Sequence, residues 1–451
     1  MKTIALASIT ILSCSVAALA REPSSRNSIL EPESQRQRWV DGDYFFGDWG
    51  GARTRLADVG VTFDSYYVAN PAAIVSGGRR EERGGSYVDN FYLGTTFDLE
   101  KLIGWRGAQF AISGINRSGG SLTEAYVGSQ YDVQQVHGGQ NVFLYNVTLE
   151  QRFWRDKVKL KVGRFGASDD FNTSPIYGLY MNNGIDGNIR NVLFDTQFSA
   201  YPFATWAGRL RFDPTPEVNF QVGVFQTWDD IFDRRHNGLN WDIRDEDGVM
   251  ILAQLGWTPE FFKRAVPAES DGKSDGKTAA APVMKGLPGH YWIGGSYSPW
   301  DGFRQFGKVE KTSGSYGVYA HADQMVYQEA PRSEQGLTLF AATGYYPQDN
   351  ISIIPWQLNV GAFYTGLIPG RDRDRTIIGM IYGRFGDDYA DTIAPTGDRR
   401  PTRETVLEIA HRIQLSKFAY IQPDVQFVSR PGGTGAIDDA VVIGAQVGIS
   451  F

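Results

Sequence analysis

The chain has 451 residues, of which 13% are aromatic and 21% charged, and a formal net charge of −7. That acidic balance lacks the basic stripe expected of a nucleic-acid binder. The single cysteine, Cys14, excludes a disulfide framework, and the five dispersed histidines, with no His-x-x-x-His pair, give no zinc-hydrolase pattern.

In chain order, Met1-Lys2 supplies a basic start, Ile4 to Leu12 is mostly apolar, and Ala18-Leu19-Ala20 is a small-x-small cleavage site. Residues 1–20 are expected to be a signal peptide, with the mature chain starting at Arg21, free of cysteine and one charge more negative after loss of Lys2. Lipidation of Cys14 would want smaller residues before it than Ile11-Leu12-Ser13. Residues 21–59 form an N-terminal segment. Within it Trp49, Ala52, Leu56 and Val59 recur at helical spacing, with Arg53, Arg55 and Asp58 between them. Asp48 suits the start and Gly60 the end of a short amphipathic helix, placed in a lumen or at its periplasmic mouth.

From Gly60 to the end the pattern changes to alternation. Strands are expected to begin near Val61, Val88, Gly107, Val142, Val158, Ala204, Val218, Val249, Tyr291, Ser315, Leu337, Trp356, Ile377, Thr405, Phe418 and Val441. The segment from Asn191 to Tyr201 reads as either another strand or a loop. Pro267 to Pro288 is of low complexity and reads as a long mobile loop between two strands. The last run is the clearest: Val441, Ile443, Ala445, Val447, Ile449 and Phe451 share one face, and Val442, Gly444, Gln446, Gly448 and Ser450 share the other. Ending on an aromatic residue is the habit of the closing strand of an outer-membrane barrel, and Phe451 is the kind of signal the barrel-assembly machinery reads.

No stretch is apolar over the roughly eighteen residues that a spanning helix needs. A membrane barrel requires none, because only alternate residues meet lipid. The expected fold is therefore all-β: a transmembrane outer-membrane barrel of about sixteen antiparallel strands over residues 60–451, with inward loops and a water-filled channel instead of a packed core. The 22 Tyr and 11 Trp suit interfacial girdles, and the 52 Gly suit bends and crowded lumens.

If the apolar set faces lipid, the opposite parity lines the channel. Val158, Leu160 and Val162 then face out and Lys157, Lys159 and Lys161 face in; Trp206, Leu210 and Phe212 face out and Arg209 and Arg211 face in. Likewise Glu404, Glu408 and Arg412 face in, as do Gln422, Asp424 and Gln426. A lumen carrying both signs and amides suits hydroxyl-rich neutral solutes better than a one-signed anion filter.

Three stretches carry a family resemblance. Phe46-Gly47-Asp48-Trp49-Gly50-Gly51-Ala52-Arg53-Thr54-Arg55-Leu56 resembles the N-terminal signature of the carbohydrate-selective porins of the OprB type. Gly163-Arg164-Phe165 with Asp169-Asp170-Phe171 and Met181-Asn182-Asn183-Gly184 resembles the central motif of that family, and Gln422 to Val428 with Pro431-Gly432-Gly433 its C-terminal one. The resemblance implies passive outer-membrane diffusion of mono- and small oligosaccharides through a constriction of arginine, acidic and aromatic side chains. It places Arg164, Asp169 and Asp170 near the channel, although both aspartates also suit loop-holding turns. Carbohydrates, outer-membrane lipid and the assembly machinery are the expected partners, with no cofactor, no metal and no nucleic acid, as a monomer or homotrimer.

Two rivals share the fold: a general diffusion porin and a barrel associated with polysaccharide export. Catalysis has little to stand on, since no Gly-x-Ser-x-Gly elbow occurs and Asp387-Asp388 reads as a turn or weak cation site. An adhesin or secretion channel is disfavoured because no partner-binding domain is appended.

Overall fold

An extended backbone sends successive side chains to opposite faces, so sixteen alternating segments need a sheet whose two faces meet different media. The computed structural model describes residues 39–80, 82–266, 283–331, 333–394 and 399–451. The expected signal peptide and Cys14 lie outside them. Among the described residues seventeen strands join one antiparallel sheet. In chain order they begin Val61–Gly78, Gly85–Asp98, Ala108–Gly119, Val142–Phe153, Val158–Phe165, Thr205–Phe212, Val218–Thr227 and Gly248–Trp257. Glu260–Val266 and Val283–Ser298 follow, then Ser315–Gln328, Gly336–Tyr345, Trp356–Thr365, Arg375–Arg384, Arg403–Gln414, Ala419–Ser429 and Asp438–Ser450.

Gly248–Trp257 and Glu260–Val266 both pair with Val283–Ser298, one continuing the other past Thr258-Pro259, so they fill one place in the wall. The result is a sixteen-strand barrel. Each strand pairs with its sequence neighbour, and the last closes on the first through pairs such as Tyr67↔Ile449 and Ala73↔Ile443. Residues 283–288 therefore belong to a strand, which corrects the expected loop, because Met284 pairs with Ala265 and Leu287 with Phe261. Residues 267–282 lie outside the described set. Asn191–Asp195 is a short helix rather than a strand.

Connections at one end are long (120–141, 166–204, 228–247, 299–314, 385–402) and most at the other are short (154–157, 213–217, 415–418). Long loops mark the extracellular end of such barrels and short turns the periplasmic end. Outward aromatics gather at both rims: Tyr297, Tyr316, Tyr345 and Trp356 are cross-strand neighbours toward the long loops, and Phe212, Phe220 and Trp257 toward the short turns. These are girdle positions, where an amphipathic ring sits between lipid and water.

The interior corrects a second expectation. Instead of an open water-filled tube, the barrel holds a packed apolar core, built where the loops 120–141 and 166–204 fold inward. Tyr131, Phe171, Tyr177, Tyr180, Met181 and Ile189 from those loops pack on wall residues such as Phe340, Ile377, Ile381 and Val406. Glycines make the room. A Cβ at Gly379 would overlap Tyr180, and one at Gly383 would overlap Tyr131.

The N-terminal helix spans Ala52–Asp58 at the short-turn rim, and the Asp48 carboxylate accepts from Thr54 N at 2.8 Å. Its buried residue is Arg53, not one of the apolar set, while Val59 is exposed. Arg53 Nη1 donates to the Phe451 carbonyl at 2.9 Å and Nη2 to that of Phe63 at 2.5 Å. Strand ends leave carbonyls unpaired, and a guanidinium fork can serve two at once.

Candidate functional site: the channel eyelet

The inward parity puts the expected polar residues inside the wall, and most are consumed in holding the loops. Glu408, fully buried, accepts from Met181 N at 2.6 Å and Asn182 N at 3.0 Å. Gln426 accepts from Asn182 Nδ2 and donates to Val133 O and to Asp424. Gln422 donates to Leu179 O, and Arg412 donates to Gly178 O, Gln422 and Gln446. Glu404 accepts from Gln130 N, Tyr131 N and Gly432 N. A buried N–H without a partner costs about 1–3 kcal/mol, so loops folded into a barrel need such acceptors.

The basic column on the neighbouring strands is neutralised in a network. Lys161 pairs with Asp170 at 3.0 Å, and Arg209 with Glu150 at 3.0 Å and Asp170 at 3.4 Å. Lys159 and Arg211 share Asp213. Lys157 sits in the turn before its strand, exposed, and donates to Pro214 O; it stands at the rim and not along the lumen. Arg164 donates to Ala204 O at 2.8 Å and to Asn240 O and lies over the Trp241 ring, which ties two loops to the wall. Asp387 opens the short helix Asp387–Ile393 and pairs with Arg400, which accounts for that acidic pair as a loop contact.

The free space lies elsewhere, between the inward loops and the first strands. Two cavities of about 320 and 300 Å³ share Arg117, Gln135, Arg190, Leu193, Ala200 and Tyr201, so they meet at one constriction. One opens toward the long loops past Gly138, Phe203 and Phe232; the other runs past Tyr66, Asn90, Asp169, Asp186 and Asn188 toward Tyr420 and Gln446. Each is at the small end of the range for small-molecule pockets, roughly 300–1,000 Å³.

Strand Ala108–Gly119 carries Arg117, and its neighbour carries Asn90. Arg117 Nε donates to Asn90 Oδ1 at 3.1 Å and Nη1 to Gly138 O at 2.9 Å, with the guanidinium 4.8 Å over the Tyr201 ring. Tyr201 OH donates to the same Asn90 oxygen at 2.9 Å. The loop 166–204 supplies the rest. Burial pushes the Asp186 carboxyl up to about 7 against the opposing pull of Arg412 and Arg117. Burial pushes Asp169, which accepts from Tyr145 OH, up to about 6 against Lys161. Asp170 is held below the usual carboxylate range: Lys161 and Arg209 together outweigh its burial.

Of the residues singled out from sequence, only Asp169 borders the joined cavities. Arg117, Asn90, Asp186, Arg190 and Tyr201 were not anticipated. Alternation did not reveal Arg117, because its strand places Ile115 inward and Asn116 outward. The pattern blurs wherever the inner wall packs on an apolar plug.

The family model described as carbohydrate-selective porin, OprB family, matches residues 82–451. The Phe46–Leu56 stretch precedes the matched residues. Among characterised relatives, Porin B of Pseudomonas aeruginosa is 26% identical over 93% of each chain. A putative porin, QuiX, of Acinetobacter baylyi is 24% identical over 93% of this chain and 94% of its own. In fold, the high-pH structure of Pseudomonas putida OprB superposes with a TM-score of 0.80 at 24% identity, covering 91% of this chain and 99% of that one.

Proposed function

This chain belongs to the OprB family of carbohydrate-selective porins of the Gram-negative outer membrane, and from that premise we propose that the constriction at Arg117, Gln135, Arg190 and Tyr201 is its sugar filter. The observation that carries this reading is the meeting of two cavities at those side chains, beside the apolar plug that the inward loops build. Pyranose recognition calls for bidentate polar groups against hydroxyls and flat aromatic faces against the C–H side of the ring. Asn90, Gln135, Asn188 and Asp186 supply the first, and Tyr66, Tyr201 and Tyr420 the second. A cavity of this size favours a monosaccharide unit, passing in single file, as the transported form.

The test is ion current through the purified barrel in a planar bilayer. A monosaccharide such as glucose is expected to lower the current saturably, and Gln135→Ala to weaken that blockade by about three-fold, a neutral hydrogen bond's worth. Current that falls only in proportion to solution viscosity favours a general diffusion pore.

A further inference from the structure

Arg117 and Arg190 face one constriction, and among the described residues neither forms an ion pair. This departs from the basic column on strands Val158–Phe165 and Thr205–Phe212. Lys159, Lys161, Arg209 and Arg211 all have carboxylates, whereas Arg412 donates through Nε to Gln422 and through Nη2 to Gly178 O and Gln446. Arg190 makes no side-chain hydrogen bond among the described residues; its Nε is buried without a partner, and its guanidinium lies 5.2 Å over the face of Phe194. Arg117 uses Nε and Nη1 on neutral oxygens and has Nη2 left. Asp186 borders the same cavity and faces Arg117 but makes no ion pair with it among the described residues. Asp132 is taken up by Ser121 and His137, and Asp169 by Tyr145.

A guanidinium withdrawn from bulk water without an acceptor is costly, and a planar carboxylate answers its fork geometry. Acceptors for hydroxyls stand on the same cavity at Asp186, Asn188 and Asn90. The geometry points to a sugar acid, a polyhydroxylated monocarboxylate, as the preferred solute of this eyelet, its carboxylate between Arg117 and Arg190 and its hydroxyls on the asparagines and Asp186. This rests on the reading of the constriction as the sugar filter.

D-Glucose and D-glucuronate form a matched pair, the same ring with a hydroxymethyl or a carboxylate at one carbon. In bilayer recordings at constant ionic strength glucuronate is expected to half-block the current at a concentration about ten-fold lower than glucose, the effect of one charge-assisted contact. Arg190→Gln, which removes no hydrogen bond seen in the structure, is expected to raise the half-blocking concentration of glucuronate and bring the two sugars within about two-fold of each other. Acetate, which carries the charge without the ring, is expected to block far more weakly than glucuronate. Glucose blocking as well as glucuronate in the parent protein overturns the sugar-acid preference and leaves the filter standing. An undiminished preference in Arg190→Gln overturns the assignment of the carboxylate to Arg190. Blockade by neither sugar overturns the filter and the preference together.

Discussion

Glu408 shows how one side chain is committed by its surroundings. From strand parity alone it is a lumen acid available to a solute, yet it is fully buried with both oxygens on loop N–H groups. Replacing it by Ala strands the Met181 and Asn182 donors beneath the loop, at about 1–3 kcal/mol for each buried donor. Glu408→Ala is therefore expected to lower the thermal midpoint and to make the open-channel current noisier, as the loop 166–204 loses its seat. Glu408→Gln, which keeps one acceptor oxygen, should fall between. A parent-like midpoint and quiet current in the Ala variant would show that the loop is held by its apolar packing alone.

The N-terminal helix matters as an element because of what it joins. Ala52–Asp58 has too few residues to hold itself by propensity, and its stability comes from docking. Arg53 spans the first strand and the last residue through Phe63 and Phe451, while Phe45 and Phe46 pack on the Phe451 ring. The seam where the barrel closes is thus pinned at its rim. Arg53→Ala is expected to cost about 1.5–3 kcal/mol, the range for hydrogen bonds to a charged group. Unfolding in urea, followed by the gel mobility of unheated samples, should show a lower midpoint for Arg53→Ala and an intermediate one for Arg53→Lys. Equal midpoints for all three would mean that the helix decorates the rim without supporting it.

At the scale of the whole molecule, the channel's charge depends on pH through two loop carboxyls. Asp186, pushed up to about 7, faces Arg117 and Arg412; Asp169, pushed up to about 6, faces Lys161, Tyr145 and Asp170. The cause in both is burial, which disfavours the ionised form, so each is negative above its value and neutral below it. As pH falls from 8 to 5 the constriction therefore loses negative charge while its arginines stay cationic. Reversal potentials in a salt gradient are expected to shift toward anion preference through that interval, with Asp186→Asn removing the upper part of the shift. A selectivity that is flat from pH 8 to 5 would place both carboxyls off the ion path.

The sequence by itself determined the wall. Lipid accepts only apolar outward side chains and an edge-free sheet, so period-two alternation from Val61 to Ser450 gives the strands and their facing, including the exposed Leu160, Leu210 and Ile409. Three short stretches, around Trp49, Arg164 and Gln422, together carried the resemblance to the family. The interior was decided only in three dimensions. Inward residues answer to whatever loop lies over them, and alternation carries no record of that: Glu408 and Gln426 became loop anchors, and the segment 185–201, without periodicity of its own, brought Asp186 and Arg190 to the eyelet. Arg117 and Asn90 meet across paired strands, Asn90↔Arg117, and their closeness to Tyr201 depends on a chain reversal no local pattern encodes. Solvent and lipid act on each strand separately and so leave their mark in local sequence, whereas the proposed filter comes from packing distant segments into one lumen.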